Sequence, residues 1–247
     1  MNKKLIKYVS SLSGCNGGNI HSKIWFCGIE WGEDTQFNFD LNEFFYSDDF
    51  LEYIPYFDDE IFERYKDLWK SKVHLKICKI LNYLEIKSKN PEDVYNFLLK
   101  KFCRQDGPIF KLNLFPFAFP KDWDSLWSFK HFSWTGLPTK ETYRVFNIKY
   151  RFPFLKRIFI RYKPKILVCY GSGYSNYFKL AFSDADHIFG EPKYIELKSG
   201  KKIELVPGNP IILICPFLGS PKGINSDDEL YEISDIMENL LKQDNVA

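Results

Sequence analysis

No stretch of 18 consecutive apolar residues occurs in this chain of 247 residues. A helix that crosses a bilayer needs about 20, so no membrane span is expected. The first residues, MNKKLIKYVSSLSGC, begin as a signal peptide does, but Lys7 and Tyr8 interrupt the apolar stretch early. A short amphipathic helix and a cytoplasmic location are expected instead. There is no CxxC pair among the six cysteines at positions 15, 27, 78, 103, 169 and 215. Neither a zinc ribbon nor an iron–sulfur site is therefore indicated. Cys27, Cys169 and Cys215 each lie in an apolar run, where a buried thiol in a reducing compartment is expected. Walker A and GxGxxG loops are absent, as are internal repeats and low-complexity linkers.

What remains is an ordinary globular composition, 45% hydrophobic and 27% charged, of a length that suits one α/β domain with insertions or at most two small domains. Aromatic residues reach 18%, but with the many Lys and Asn this matches an AT-rich coding bias and carries little functional weight. The net charge of +2 is unevenly spread. Between Lys140 and Lys165 there are nine basic residues and one acid, so this segment alone carries +8. A local basic block on a near-neutral chain suits a polyanionic partner. A solvated helix face is the plainer reading of the same charges.

Four apolar runs rich in β-formers, Ile24–Gly28, Ile109–Phe115, Ile166–Tyr170 and Ile211–Cys215, alternate with stretches of helical spacing. Each run ends in a break containing Gly or Pro. Runs apolar throughout read as parallel strands covered on both faces. The helical stretches are Leu68–Leu84, Pro91–Phe102, Phe152–Tyr162, Tyr174–Phe182 and Asp227–Lys242, the last with Ser226 as its N-cap. The expected architecture is a three-layer α/β/α sandwich with a central four-stranded parallel sheet. It forms a single domain over 1–247, with an acidic and aromatic insertion at about 35–67 and a hairpin over 192–206 that turns at Ser199–Gly200. Ligands of such sheets bind beyond the carboxyl ends of the strands.

The unusual residues cluster at those ends. After the first strand, Gly28-Ile-Glu-Trp-Gly32 presents Glu30 in a glycine-bounded turn. A carboxylate held there positions water or stabilises a developing cation; equally, it caps the next helix. The second strand carries Asn113, whose amide offers a donor and an acceptor to a nucleobase edge. Phe115, Phe117 and Phe119 follow as stacking candidates, or as core residues. The third strand runs into Gly171-Ser-Gly173 at a helix start, an anion-binding geometry or a tight turn. The fourth feeds Cys215-Pro-Phe-Leu-Gly-Ser-Pro221, followed by Lys222-Gly223, a loop able to press its amides on phosphates or simply a surface loop.

In their order and spacing, these four stretches resemble the motifs of the uracil-DNA glycosylase superfamily over roughly residues 20–240. The resemblance implies a uracil-DNA glycosylase-like fold and hydrolysis of the N-glycosidic bond of a flipped base in DNA, without metal or cofactor. Its catalytic residues would be Glu30 and Asn113. The base pocket would draw on Gly28, Trp31, Gly32, Phe39 and Phe115, with Phe37 and Phe117 as further stacking candidates. DNA, single- or double-stranded, would be held by Ser172, Gly219, Ser220 and Lys222, and by Arg151, Lys156 and Arg157 of the basic segment. The protein would act as a monomer. Two departures stand out. Glu30 replaces the family's Asp or Asn, with Trp31 in place of the following Pro, and Pro216 or Phe217 stands where members carry a histidine that stabilises the leaving base. They point away from plain uracil toward a modified or bulky base, such as a modified pyrimidine of phage DNA in a defence role. The alternatives are a catalytically inactive nucleic-acid-binding protein on the same fold and a hydrolase of free nucleotides.

Overall fold

The computed structural model describes residues 3–30, 54–64, 72–117, 119, 127 and 129–243. In chain order the elements are α1 (Lys3–Val9), β1 (Gly17–Gly18), β2 (Ile24–Gly28), α2 (Asp59–Arg64), α3 (Lys72–Ile86), α4 (Pro91–Lys100), β3 (Ile109–Asn113), α5 (Phe129–Thr135), α6 (Lys140–Tyr162), β4 (Ile166–Tyr170), α7 (Ser175–Phe182), α8 (Ala185–Phe189), β5 (Lys193–Glu196), β6 (Lys202–Val206), β7 (Ile211–Cys215) and α9 (Asp227–Gln243).

These strands form one sheet in the order β1-β3-β2-β4-β7-β6-β5. The neighbours β3, β2, β4 and β7 are mutually parallel. β1 joins β3 antiparallel, and β6 and β5 extend the far side antiparallel. The expected four-stranded parallel sheet is thus corrected to a seven-stranded mixed one. The hairpin reads clearly in the sequence, but its pairing onto β7 is a nonlocal contact that no local signal announces. β1 is two glycines long, too short for any periodicity.

The sheet is covered on both faces. Trp25, Cys27, Phe110, Leu112 and Ile214 pack in one core with residues of α1, α6 and α7. Phe26, Ile109, Val168 and Leu213 pack in a second core with residues of α3, α4 and α9. Successive strand residues alternate between the two cores, so the runs are apolar throughout. Trp25 sits 4.9 Å from Phe110 and 6.2 Å from Phe159, ring centre to ring centre, and so ties α6 to the sheet.

α6 begins at Lys140 rather than at the expected Phe152. Pro153 counts against a helix interior, but it lies on the exposed side, where water can reach the Lys149 carbonyl left without its helical donor. The true start is fixed by a capping box: Thr139 Oγ1 accepts from the Thr142 amide, and Thr142 Oγ1 accepts from the Thr139 amide. α9 starts the same way, with Ser226 and Glu229 exchanging bonds. α2 falls inside the stretch expected to be an irregular insertion. Among the described residues, no helix is long and apolar enough to cross a membrane.

Candidate functional site

Because β3, β2, β4 and β7 run the same way, the segments that follow them emerge at one edge of the sheet. They touch there. Gly28 pairs with Asn113 in register, and the turn after β2 is clamped by bonds from the Leu114 amide to the Gly28 carbonyl and from the Phe115 amide to the Ile29 carbonyl. The Ile29 side chain lies against Gly171, and the Gly171 amide bonds to the Cys215 carbonyl. The Phe217 ring is 6.1 Å from that of Tyr170. A side chain at Gly28 would have to displace its neighbours: a Cβ there would lie 2.6 Å from both Asn113 Oδ1 and the Tyr170 hydroxyl. Its missing side chain brings an amide oxygen and a phenol together at the end of the strands.

Glu30 stands two residues beyond Gly28. Its Oε1 accepts from Lys140 Nζ at 3.0 Å, with the two side chains 8% and 1% exposed. The same ammonium sits 3.9 Å from the centre of the Phe119 ring, which stacks with Trp127 and His131. Lys140 is the first residue of α6, so the capping box that starts the helix also delivers a cation to Glu30. Asn113 is 2% exposed, and its Nδ2 donates to the Gly14 carbonyl at 2.8 Å. Its carbonyl group receives Arg151 Nη2 at 2.9 Å.

The other expected site residues divide sharply. Trp31, Gly32, Phe37 and Phe39 lie outside the described residues. Phe115 is not a pocket residue. It is 1% exposed in the core, with rings of Tyr143, Phe152, Tyr174 and Tyr177 around it. Phe117 likewise lies in the core, stacked on Tyr143 at 5.0 Å. Arg151, expected on DNA, is wholly buried, and its donors are spent on the carbonyls of Val9, Ser11, Ser13 and Asn113. Lys156 is tied to the Ser183 carbonyl and to Asp184. Arg157, Ser172, Gly219 and Lys222 are exposed, and Ser220 is half-buried. Gly219, Ser220 and Lys222 share the loop after β7. That loop folds back so tightly that a Cβ at Gly223 would overlap the Phe217 carbonyl oxygen.

Three residues at this edge were not anticipated as site residues: Lys140, Lys111 and Tyr170. Lys111 is 4% exposed and donates to Asn16 Oδ1, with its ammonium 6.0 Å from the Tyr170 ring centre. Burial pushes that ammonium below the usual lysine range, opposed by the nearby thiols Cys103, Cys15 and Cys27. Burial also pushes the Tyr170 phenol well above its usual range, which keeps it a neutral hydroxyl donor. A lone lysine inside the apolar run Ile-Phe-Lys-Leu-Asn was the signal available for Lys111. Nothing local announces Lys140, which meets its partner 110 residues away.

The arrangement offers a carboxylate, an amide oxygen, a neutral phenol and two ammonium groups at one edge. That set can bind and polarise a polar ligand and position a water. Among the described residues, no cluster of three or more His, Cys, Asp or Glu could hold a metal ion. Comparison of the sequence with known protein families and with characterised proteins returned no match.

Proposed function

We propose that the chain is a DNA glycosylase on a uracil-DNA glycosylase-like fold, hydrolysing the N-glycosidic bond of a flipped, damaged or modified base. The observation that carries this reading is the juxtaposition of Glu30 and Asn113 at the ends of neighbouring parallel strands, beside a glycine whose absent side chain lets Asn113 Oδ1 and the Tyr170 hydroxyl close in on the end of β2. Cleavage passes through an oxocarbenium-like sugar, toward which Glu30 contributes negative charge while it orients water. Asn113 Oδ1 and the Tyr170 hydroxyl supply an acceptor and a donor for the edge of the base. Where members of the superfamily that the chain resembles carry a histidine for the leaving base, a cation near the carboxylate is the available substitute, and Lys140 is the one in place.

The same ion pair favours a second reading. An ammonium 3.0 Å from Glu30 offsets the field that a cationic sugar would feel, and Asn113 already spends one of its two amide N–H donors on the Gly14 carbonyl. A nucleic-acid-binding protein without catalysis would tolerate both. Formation of abasic sites separates the two. The protein is incubated with DNAs containing uracil, deaminated purines or phage-type modified cytosines, and alkali then reveals abasic positions. Breaks in one substrate, lost in Glu30→Gln, support the glycosylase. Tight DNA binding with intact strands across the panel would establish the binder.

A further inference from the structure

On the face that carries α6 and α7, a second site opens over the antiparallel side of the sheet. A cleft of about 380 Å³ lies between the start of α7, the α8 segment and the β5–β6 hairpin, within the range of small-ligand sites. Tyr194, Glu204 and Ile214 occupy one rung across three neighbouring strands. Side chains directly opposite in antiparallel pairs share a face, so these three form the floor. Neither Glu30 nor Asn113 lines this cleft.

The floor is charged where an apolar one would cost less. Lys179 and Glu204 are 6% and 7% exposed, and their charged atoms are 3.1 Å apart. Ser175 Oγ donates to the second carboxylate oxygen. A buried ion pair adds little stability over an apolar pair of the same shape, so its retention beside a cavity calls for a ligand. The chemistry of the ligand follows from the donors. An ammonium has three N–H groups, and among the described residues Lys179 meets a single carboxylate oxygen. Two donors remain for acceptor atoms in the cleft. Ser172, Ser175 and Asn176 add hydroxyl and amide groups at its rim. At the β5 end of the floor the Tyr194 ring is 54% exposed, with the Lys202 ammonium 5.9 Å from its centre. A flat ring exposed beside a cation, with acceptor-hungry groups across the cleft, matches a base stacked on an aromatic and its phosphate held by lysine.

We infer that this cleft binds a nucleotide, its base on Tyr194, its phosphate at Lys202, and its polar edge toward Lys179 and the start of α7. The site does not depend on the glycosylase reading. A free nucleotide and a nucleotide within a single strand present the same chemistry. Titrations with deoxyadenosine monophosphate, with a fluorescent single-stranded octanucleotide and with inorganic phosphate tell them apart. Binding of the monophosphate assigns the site to free nucleotides, and binding of the octamer alone assigns it to a strand; either supports the inference. Tyr194→Ala is expected to weaken whichever probe binds by about tenfold or more, the effect of losing one base–aromatic stack. Tyr95→Ala, which removes a ring 50% exposed on α4, is expected to bind as the wild type does. Both changes are at the surface, and an unchanged melting curve verifies the fold. Failure of both nucleotide probes to bind, unchanged affinity in Tyr194→Ala, or inorganic phosphate binding as tightly as the monophosphate would each overturn the inference.

Discussion

The guanidinium of Arg151 holds three parts of the chain together. Nη1 donates to the Val9 and Ser11 carbonyls, Nη2 to those of Ser13 and Asn113, and Nε again to Asn113. It thereby closes the end of α1, fixes the loop that supplies Gly14 to Asn113, and anchors the end of β3. Arg151→Met would leave those carbonyls buried without donors. Removing one partner of a buried charged network costs about 3–5 kcal/mol. Arg157→Ala, on the exposed side of the same helix, is expected to stay within about 0.5 kcal/mol of the wild type. Urea denaturation of the two variants measures the contrast; equal midpoints would show that the hub carries no stability. Gly28→Ala tests the site itself. A methyl group 2.6 Å from Asn113 Oδ1 and the Tyr170 hydroxyl must displace both. Overpacking of this kind costs about 1–3 kcal/mol, and on the proposed glycosylase function excision would be expected to fall below detection even where the variant remains folded. Neither role is written in local sequence. Arg151 reads there as one cation among nine, because burial of an arginine is decided by carbonyls some 140 positions away. The three phenylalanines after Asn113 could each be a stacking surface or a core residue in sequence, and packing sends Phe115, Phe117 and Phe119 alike into the core.

At the scale of elements, the strands were the most legible part. A run of five residues that is apolar on both faces has few other solutions, and all four runs begin where the residue pattern places them. The helices were legible where their ends carry caps. Ser226-Asp-Asp-Glu229 is a capping box in sequence, and in the structure the Glu229 carboxylate also accepts from the Asn225 amide and pairs with Lys201 at 2.7 Å. Burial pushes the Glu229 carboxyl up, but bonds from Lys201, Ser199 and the Asn225 and Ser226 amides outweigh it and hold the group at about 2, against an ordinary 4.5. A carboxyl lowered on folding stabilises the folded state above its unfolded value and loses that contribution as the pH falls. Wild-type stability is therefore expected to decline between about pH 4.5 and pH 2 more steeply than that of Glu229→Gln. Melting curves across that window compare the two; parallel curves would remove Glu229 from the account. Ser226→Ala is expected to cost about 1 kcal/mol as the loss of an N-cap. In sequence only the second half of α6 stands out, because propensity penalises Pro153, and tertiary contacts along the whole helix overrule it.

Across the whole molecule, the position of the basic segment decides which of its charges can serve the candidate site. α6 has 23 residues, so it is about 34 Å long at 1.5 Å per residue. Its first residue, Lys140, meets Glu30 at the carboxyl edge of the sheet. Beyond its other end, the Lys165 amide bonds to the Lys23 carbonyl, next to the start of β2 at the amino edge. The segment's charge is therefore strung from one edge of the sheet to the other, and its last cations are about 30 Å from Glu30 by the same rise per residue. The near end offers little free charge: Lys140 is paired with Glu30, and Arg144 donates to the Tyr174 hydroxyl at 3.2 Å. A strand placed to present one base at Glu30 would instead run past the loop after β7, where Lys222 is exposed. Each lysine that neutralises a phosphate adds about 0.9 to the slope of log affinity against log salt on duplex DNA. Lys222→Ala is accordingly expected to lower that slope by about one, and Arg161→Ala to leave it unchanged. Fluorescence anisotropy on a duplex over a range of salt measures both slopes. If Arg161→Ala lowers the slope and Lys222→Ala does not, DNA lies along α6 toward the amino edge, and a base flipped from it could not reach Glu30.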